Sequence, residues 1–257
     1  MTMRLKDKVI VITGATSGIG KALATRCVLE GAKVLIHGID QIAGQKLVEH
    51  LGKNVHLCIS DLNNLDSPKH IVTSAIEAFG KIDSIVNNAA VIERNNLLEV
   101  SEKSFSKTIT INLQSALFLI QAAFPYLKQT QGNVLNIGSI NAYTGEASLL
   151  TYSISKAGLQ TMTRNLANAH GVDGIRFNLI NPGWILTDRE YADQIKKGLP
   201  ENWPDKLGKD NIPFGKMSTP EQLAAACIYW LGDESKPFTG SVVDLEQFSI
   251  IGRNPEK

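Results

Sequence analysis

The sequence predicts an α/β protein in which one doubly wound parallel sheet of about seven strands carries helices on both faces. Two observations predict it. Short apolar runs rich in β-branched residues alternate with helix-length amphipathic stretches along the whole chain, and right-handed crossovers then set parallel strands side by side. No linker, repeat or low-complexity segment interrupts the alternation. We therefore expect residues 1–257 to form a single domain.

Each strand is predicted from an apolar run bounded by glycine or polar residues. The predicted strands are Lys8–Thr13, Lys33–His37, Val55–Ile59, Ile82–Val86, Asn133–Ile137, Gly174–Ile180 and Ser241–Leu245. Each helix is predicted from a one-sided apolar pattern and from end signals, such as Ser67-Pro68 and the capping box at Thr219. The predicted helices are Gly18–Glu30, Gln41–Leu51, Ser67–Phe79, Glu102–Lys128, Thr151–His170 and one that ends near Leu231. The irregular stretch Trp184–Met217 is too long for a connection and is predicted to be an insertion or a lid.

Composition excludes several classes of protein. The formal charge of +1 lacks the positive excess of a general nucleic-acid binder. Cys27, Cys58 and Cys227 are far apart, and the five histidines match no metal spacing, so we expect neither disulfides nor a metal. No apolar run approaches the roughly 18 residues of a membrane span. We expect a cytoplasmic protein with a small-molecule substrate and without nucleic-acid or membrane partners.

A glycine-rich turn, Thr13 to Gly20, joins the first predicted strand to the first predicted helix. Gly14, Gly18 and Gly20 would allow a tight turn and close approach of a pyrophosphate, and the helix start offers free N–H groups and a positive dipole end. Strand–turn–helix junctions need glycine in any case, so a turn without a ligand is the alternative. The position of this turn in the first βα unit favours nucleotide binding.

The GxxxGxG spacing of this turn, and motifs further along the chain, resemble the short-chain dehydrogenase/reductase family. Asn87-Asn88-Ala89-Ala90 follows the fourth strand, where the family carries Asn-Asn-Ala-Gly. The resemblance covers about residues 5 to 245 and implies a Rossmann-like fold. The positions matching the family's catalytic tetrad are Asn112, Ser139, Tyr152 and Lys156. The implied cofactor contacts are Gly14, Ser17, Gly18, Ile19, Gly20, Asp61, Leu62, Asn88, Tyr152, Lys156, Pro182, Gly183 and Thr187.

The four tetrad residues make chemical sense together. Tyr152 and Lys156 are four apart, so they share one helix face. A free phenol has a pKa of about 10, and a neighbouring ammonium or an oxidised nicotinamide favours the phenolate. Ser139 can hold the substrate oxygen, while the resemblance implies that Lys156 also binds the nicotinamide ribose and that Asn112 anchors a water in a proton relay. A Tyr-x-x-x-Lys pair also arises by chance. Catalysis is favoured because all four residues occur together with the glycine turn at the expected positions.

The choice between NAD and NADP is expected at the end of the second strand. NAD-preferring relatives often carry aspartate where Gly38 stands, and NADP-preferring ones often carry bases where Ile39 and Ser17 stand. Neither signature is present, and Asp40 would repel a 2′-phosphate, so the balance favours NAD(H) over NADP(H). Asp40 is a candidate ribose ligand, with capping of the helix at Gln41 as the alternative.

Residues for the substrate are expected on the loops at the carboxyl ends of the strands. The candidates are Glu93, Arg94, Ile140–Leu150 and Trp184–Met217. The many charges in the last segment favour a sugar, a polyol or a hydroxy or keto acid over a steroid or fatty chain. A solvated surface helix is the alternative interpretation of those charges.

We therefore expect an NAD(P)-dependent oxidoreductase that interconverts a secondary alcohol and a ketone. A non-catalytic nucleotide-binding sensor or scaffold is the alternative, whereas sugar-nucleotide epimerisation would need a larger substrate domain. The apolar stretch Leu223–Leu231 is expected either in the core or, as the resemblance implies, at the interface of a homodimer or homotetramer. Ala90 in place of glycine would shift the cofactor or weaken its binding. The tail, Asp244–Phe248 with Arg253, would reach a neighbouring subunit or stay loose.

Overall fold

The computed structural model describes residues 3–143, 145–210 and 212–247, so Phe248 and Arg253 of the tail lie outside the described residues. Seven parallel strands form one sheet in the order β3-β2-β1-β4-β5-β6-β7, which confirms the predicted doubly wound α/β fold. The strands are β1 (Val9–Ile12), β2 (Lys33–Gly38), β3 (Val55–Ile59), β4 (Ser84–Asn87), β5 (Asn133–Ile137), β6 (Arg176–Pro182) and β7 (Val242–Leu245). The helices are α1 (Gly18–Leu29), α2 (Gln41–Leu51), α3 (Ser67–Phe79), α4 (Glu102–Ile109), α5 (Ser115–Thr130), α6 (Leu150–His170), α7 (Asp188–Lys196) and α8 (Pro220–Leu231).

Two hydrophobic cores lie on opposite faces of the sheet. On β1, Ile10 and Ile12 pack into the core formed with α1, α2 and α8, while Val11 packs into the core formed with α3 and α5. Side chains alternate between the faces of a strand, so a strand covered on both sides needs an unbroken apolar run. This is why the central strands appear in the sequence as continuous apolar segments.

The apolar stretch on α8 belongs to the core. Leu223, Cys227 and Leu231 are buried in the same cluster as Leu23 and Cys27 of α1. Of the two alternatives predicted for this stretch, the structure supports core packing for this face of α8.

The predicted helix Glu102–Lys128 is interrupted, and that prediction of one regular helix was wrong. A π-helical turn over Thr110–Gln114 separates α4 from α5. Such a turn accommodates an additional residue, and these turns are frequent at functional sites. Asn112 lies within it and is fully enclosed by the protein.

Two strands begin two residues later than predicted. β4 begins at Ser84 rather than Ile82, and the carboxylate of the preceding Asp83 accepts a hydrogen bond from the backbone N–H of Val9 at 2.7 Å. β6 begins at Arg176 rather than Gly174, because Gly174 adopts a left-handed turn with φ of +74° that no strand allows.

By length and composition alone, the helical stretch Glu102–Thr130 would be long and apolar enough to cross a membrane. It is also a core helix, since Leu119, Ile120 and Leu127 are buried against the sheet. This packing explains the apolar side chains on its buried face.

The closest backbone contact in the glycine turn occurs at Gly20. A Cβ added there would lie 2.2 Å from the carbonyl oxygen of Gly14 and 2.6 Å from Nδ2 of Asn88. We expect Gly20→Ala to lower the free energy of unfolding by about 1–3 kcal/mol, since the turn would have to open. Gly171→Ala is the matched control, because a Cβ there meets nothing within 4 Å. Urea unfolding of both variants measures the effect, and equal stability would contradict this account.

Candidate active site

A cavity of about 870 Å³ opens at the carboxyl ends of the strands. It is bordered by the glycine turn, by the loops after β4, β5 and β6, and by α7. The predicted site residues that line it are Gly14, Ser17, Gly18, Ile19, Asp61, Leu62, Asn88, Ser139, Tyr152, Lys156, Pro182, Gly183 and Thr187. Those that do not are Gly20, Asp40 and Asn112. Ala90 lines the cavity as well.

The glycine turn has the geometry of a phosphate cradle. Gly14 and Gly18 adopt φ of +63° and +51°, a region that favours glycine. Ser17, which precedes α1, makes no side-chain hydrogen bond to the first turn of the helix, so those N–H groups stay open to an anion. A Cβ at Gly18 would stand 3.5 Å from Cγ2 of Thr187, so the two walls approach closely here. These residues fit a dinucleotide pyrophosphate.

Asn88 holds this cradle in place. Its side-chain amide donates to the carbonyl oxygens of Thr13 and Gly14 at 2.9 and 3.1 Å. The hydroxyl oxygen of Thr13 in turn accepts hydrogen bonds from the backbone N–H groups of Asn88 and Ala89, both at 3.0 Å. The ends of β1 and β4 are therefore tied together directly beneath the turn.

At the end of β2, where the adenosine is expected, the described residues that line the cavity include no cation. Asp40 caps α2 by accepting the N–H of Ala43 at 2.9 Å, which is the alternative predicted for it, and it does not line the cavity. Burial lowers the pKa of His37 to about 4, so its ring is neutral at pH 7. A Cβ at Gly38 would lie 2.5 Å from Cγ2 of Thr16, so Thr16 fills the space beside this position.

Ser139, Tyr152 and Lys156 come together at the other end of the cavity. Ser139 follows β5, and the other two lie one turn apart on α6, with Nζ of Lys156 at 5.7 Å from the ring centroid of Tyr152. All three side chains are buried. Nζ of Lys156 donates to the carbonyl oxygen of Ile137 at 2.7 Å, which ties α6 to the end of β5.

The electrostatics of this group differ from the expectation. Burial raises the pKa of Tyr152, and the nearby hydroxyl of Ser139 lowers that pKa only in part. Burial also lowers the pKa of Lys156 to about 8. The sequence predicts that the ammonium of Lys156 favours the phenolate, whereas in the protein itself burial is the main influence and raises the pKa of Tyr152. The positive charge of an oxidised nicotinamide remains the contribution that would favour the phenolate.

Asn112 stands behind these residues rather than in the cavity. Its Oδ1 accepts the N–H of Val91 at 2.8 Å, and its Nδ2 donates to the Val91 carbonyl and to the hydroxyl of Ser155, each at 3.0 Å. The side chain thereby joins the π turn to the loop after β4 and to α6. The role of Asn112 in a water relay stays a prediction.

Sequence reasoning missed Asn181 on β6. Its Oδ1 accepts the backbone N–H of Ser139 at 2.9 Å, and its Nδ2 donates to Gln160 and Asp244 at 3.2 and 2.9 Å. This amide fixes the backbone that carries Ser139. The available signal was an asparagine directly after a predicted buried strand, since a buried polar group must be hydrogen-bonded.

The substrate end of the cavity is polar on two sides. On one side lie Arg94, Asn141 and Glu146. On the other side, residues of the predicted lid segment line it only as far as Lys197; the contributors are Trp184, Ile185, Thr187, Asp188, Arg189, Glu190, Gln194 and Lys197. Glu93, the remaining candidate, pairs instead with Lys107 at 2.7 Å. Further along the same segment, Trp203 is buried in a small cluster of its own with Ile212 and Met217.

The chain is similar to known enzymes over nearly its full length. A family model described as enoyl-(acyl carrier protein) reductase matches residues 14–246. The L-rhamnose 1-dehydrogenase (NAD(P)(+)) of Azotobacter vinelandii is 33% identical, over 93% of this chain and 95% of that protein. The 3-oxoacyl-[acyl-carrier-protein] reductase FabG of Thermotoga maritima is 32% identical, over 97% and 100%. A short-chain glucose/ribitol dehydrogenase structure from Brucella melitensis superimposes with a TM-score of 0.86 at 25% identity, covering 95% and 97%.

The cavity and these similarities together define an NAD(P)-dependent oxidoreductase that interconverts alcohols and ketones. The chain belongs to the short-chain dehydrogenase/reductase family. Within the described residues, no group of three or more His, Cys, Asp or Glu side chains could hold a metal ion.

The buried Lys156 should leave a signature in the pH dependence of stability. Its pKa of about 8 lies below the ordinary 10.5, so between these values the unfolded chain holds more protons and stability rises with pH. We expect the unfolding free energy of the unaltered protein, relative to Lys156→Met, to rise by up to about 3 kcal/mol between about pH 7 and pH 10. Taking this difference removes the titration of groups common to both proteins. Urea unfolding across this range tests it; a constant difference would contradict it.

Proposed function

We propose that this protein is a dehydrogenase of a sugar or polyol, with Tyr152 as the acid/base that exchanges the proton. The observation that carries the proposal is that Ser139, Tyr152 and Lys156 line the same cavity as the glycine cradle. The cradle residues, with Asn88, Pro182, Gly183 and Thr187, would hold the dinucleotide. Asp61 and Leu62 would contact its adenine.

In alcohol oxidation, each of the four tetrad residues would have a separate role. Ser139 orients the substrate oxygen by a hydrogen bond, and Tyr152 as phenolate removes the hydroxyl proton while the carbonyl forms. A bound nicotinamide cofactor supplies the acceptor for the hydride that leaves the substrate carbon. Lys156 binds the nicotinamide ribose, and Asn112 anchors the proton relay that returns Tyr152 to its starting state. In ketone reduction, Tyr152 donates the proton instead.

The substrate class is supported by the charged walls and by two relatives. One relative is named for L-rhamnose and one structural neighbour for glucose and ribitol. A fatty acyl chain, which the second relative's name indicates for that protein, would have to desolvate the charged side chains around Glu146 and Glu190. A hydroxy or keto acid remains the second candidate because Arg94 lies at this end of the cavity.

Further features belong to the same proposal. We infer that the chain functions as one domain, with residues 184–217 forming a lid over the substrate. Exposed apolar side chains on α4 and α5, Phe105, Leu117 and Phe118, support a homodimer or homotetramer. Three free buried cysteines are consistent with a cytoplasmic protein. Ala90 would place a methyl group against the cofactor.

Removal of the Tyr152 hydroxyl tests the catalytic assignment. We expect Tyr152→Phe to lower kcat by a factor on the order of 10³ or more, because the proton has no other acceptor, while cofactor binding is retained. Tyr126→Phe, on α5 and outside the cavity, is the control and should keep full activity. Full turnover by Tyr152→Phe would refute the assignment. Cofactor binding without turnover of any alcohol by the unaltered protein would favour the sensor alternative.

We propose NAD(H) as the preferred cofactor, because the end of β2 carries a neutral His37 and no cation. Ile39 is 74% exposed, so an arginine there can reach a 2′-phosphate. We expect Ile39→Arg to raise kcat/KM for NADP⁺ by about 10-fold or more. Ile42→Arg, at a position 71% exposed but outside the cavity, should not do so. A clear preference of the unaltered protein for NADPH would show the proposed cofactor choice to be wrong.

A further inference from the structure

Two carboxylates line the substrate end of the cavity, and each is held through one oxygen. Oε1 of Glu190 accepts hydrogen bonds from Nε1 of Trp184 at 2.9 Å and from Nε2 of Gln194 at 2.8 Å. Oε1 of Glu146 accepts from Arg94 and, at 2.9 Å, from the hydroxyl of Ser148. Among the described residues, no hydrogen bond is made to Oε2 of either carboxylate. Each glutamate therefore has a fixed orientation and an acceptor to spare.

The two carboxylates are also tied to the reaction centre. Glu146 donates its backbone N–H to Oδ1 of Asn141 at 3.0 Å, and Asn141 donates its own N–H to the hydroxyl oxygen of Ser139 at 3.2 Å. Glu190 donates its backbone N–H to Oγ1 of Thr187, which lines the same cavity. Both glutamates are thus positioned relative to the residues that surround the reacting carbon.

The charges around these carboxylates suit a neutral substrate that donates hydrogen bonds. Partial burial raises the pKa of Glu146, but its bonds from Arg94 and Ser148, with the positive charges of Arg94 and Lys197, lower that pKa overall. Arg94 is therefore already paired, and Arg189 lies 3.7 Å from Asp193. An anionic substrate would have to compete with Glu146 for Arg94 and with Asp193 for Arg189, whereas hydroxyl groups can add to the free Oε2 atoms.

We propose that Glu146 and Glu190 bind hydroxyl groups of the substrate beyond the reacting carbon, and so select polyhydroxylated substrates over simple secondary alcohols. This inference rests on the proposed sugar or polyol dehydrogenase activity. Hydroxyl-to-carboxylate hydrogen bonds are short and roughly twice as strong as neutral ones. Arg94, Trp184 and Gln194 act in this proposal as positioning residues, because their hydrogen bonds orient the two carboxylates.

The test compares Glu146→Gln and Glu190→Gln on a series of substrates with decreasing numbers of hydroxyls: an aldohexose or deoxyhexose, meso-2,3-butanediol and 2-butanol. For the sugar, we expect each variant to lower kcat/KM by about 10- to 100-fold, mainly through KM. The loss should be at least about tenfold smaller for 2-butanol, which has no second hydroxyl. Glu201→Gln is the matched control, since this exposed glutamate of the same segment does not line the cavity.

The outcomes separate this inference from the proposed function. If the unaltered protein oxidises the sugar and the two glutamine variants do so equally well, the carboxylate role is wrong and the proposed function stands. If the unaltered protein oxidises no polyhydroxylated compound, both are wrong. Thermal midpoints and NAD⁺ affinity, measured for every variant, identify losses due to misfolding. Should Glu190→Gln fail to fold, Glu146→Gln decides the question, because its side chain is 52% exposed and its loss leaves the core intact.

Discussion

The amide of Asn88 is the interaction on which the cofactor end of this molecule depends. It bonds the carbonyl oxygens of Thr13 and Gly14, which follow a strand and have no partner in the sheet ladder. The left-handed backbone of Gly14 is not stabilised by any regular structure, so a side chain from the neighbouring strand must define its position. With the turn held, α1 can begin with its N–H groups directed at the cavity. The packing of Gly20 against Gly14 follows from the same constraint.

At the opposite end of the cavity, desolvation determines the chemistry. The enclosure that keeps bulk water away from Tyr152 and Lys156 works against the charge of both groups. The protein offsets this cost in part: Lys156 donates a hydrogen bond to the carbonyl oxygen of Ile137, and the nearby Ser139 lowers the pKa of Tyr152. A site of this kind responds strongly to any added charge, because the low dielectric that disfavours ionisation also strengthens electrostatic interactions. The arrangement is therefore suited to a reaction in which the cofactor changes charge.

Sequence patterns were sufficient for the fold and for most positions around the cavity. Continuous apolar strands and amphipathic helices are local signals, and α2, α3 and β5 have the bounds predicted for them. The π turn could not be predicted, because it depends on bonds from Asn112 to Val91 and Ser155, which are distant in sequence. Asp40 was ambiguous for another reason: a carboxylate after a strand suits a ribose and a helix cap equally well. The pairing of Arg94 with Glu146 spans 52 residues, so the orientation of these charges needed the structure.

The π turn between α4 and α5 sets the phase of a long helix. Each residue of an α-helix advances by about 100°, so the extra residue rotates everything after it by that angle. The segment before the turn is α4, and its orientation differs by this angle from that of α5. After the turn, Leu119 and Leu127 of α5 are buried in the core against the sheet. An unbroken helix could direct either Asn112 toward Val91 or the apolar face of α5 toward the core, but not both. One inserted residue thus allows a single helix to serve the active site and the hydrophobic core at once.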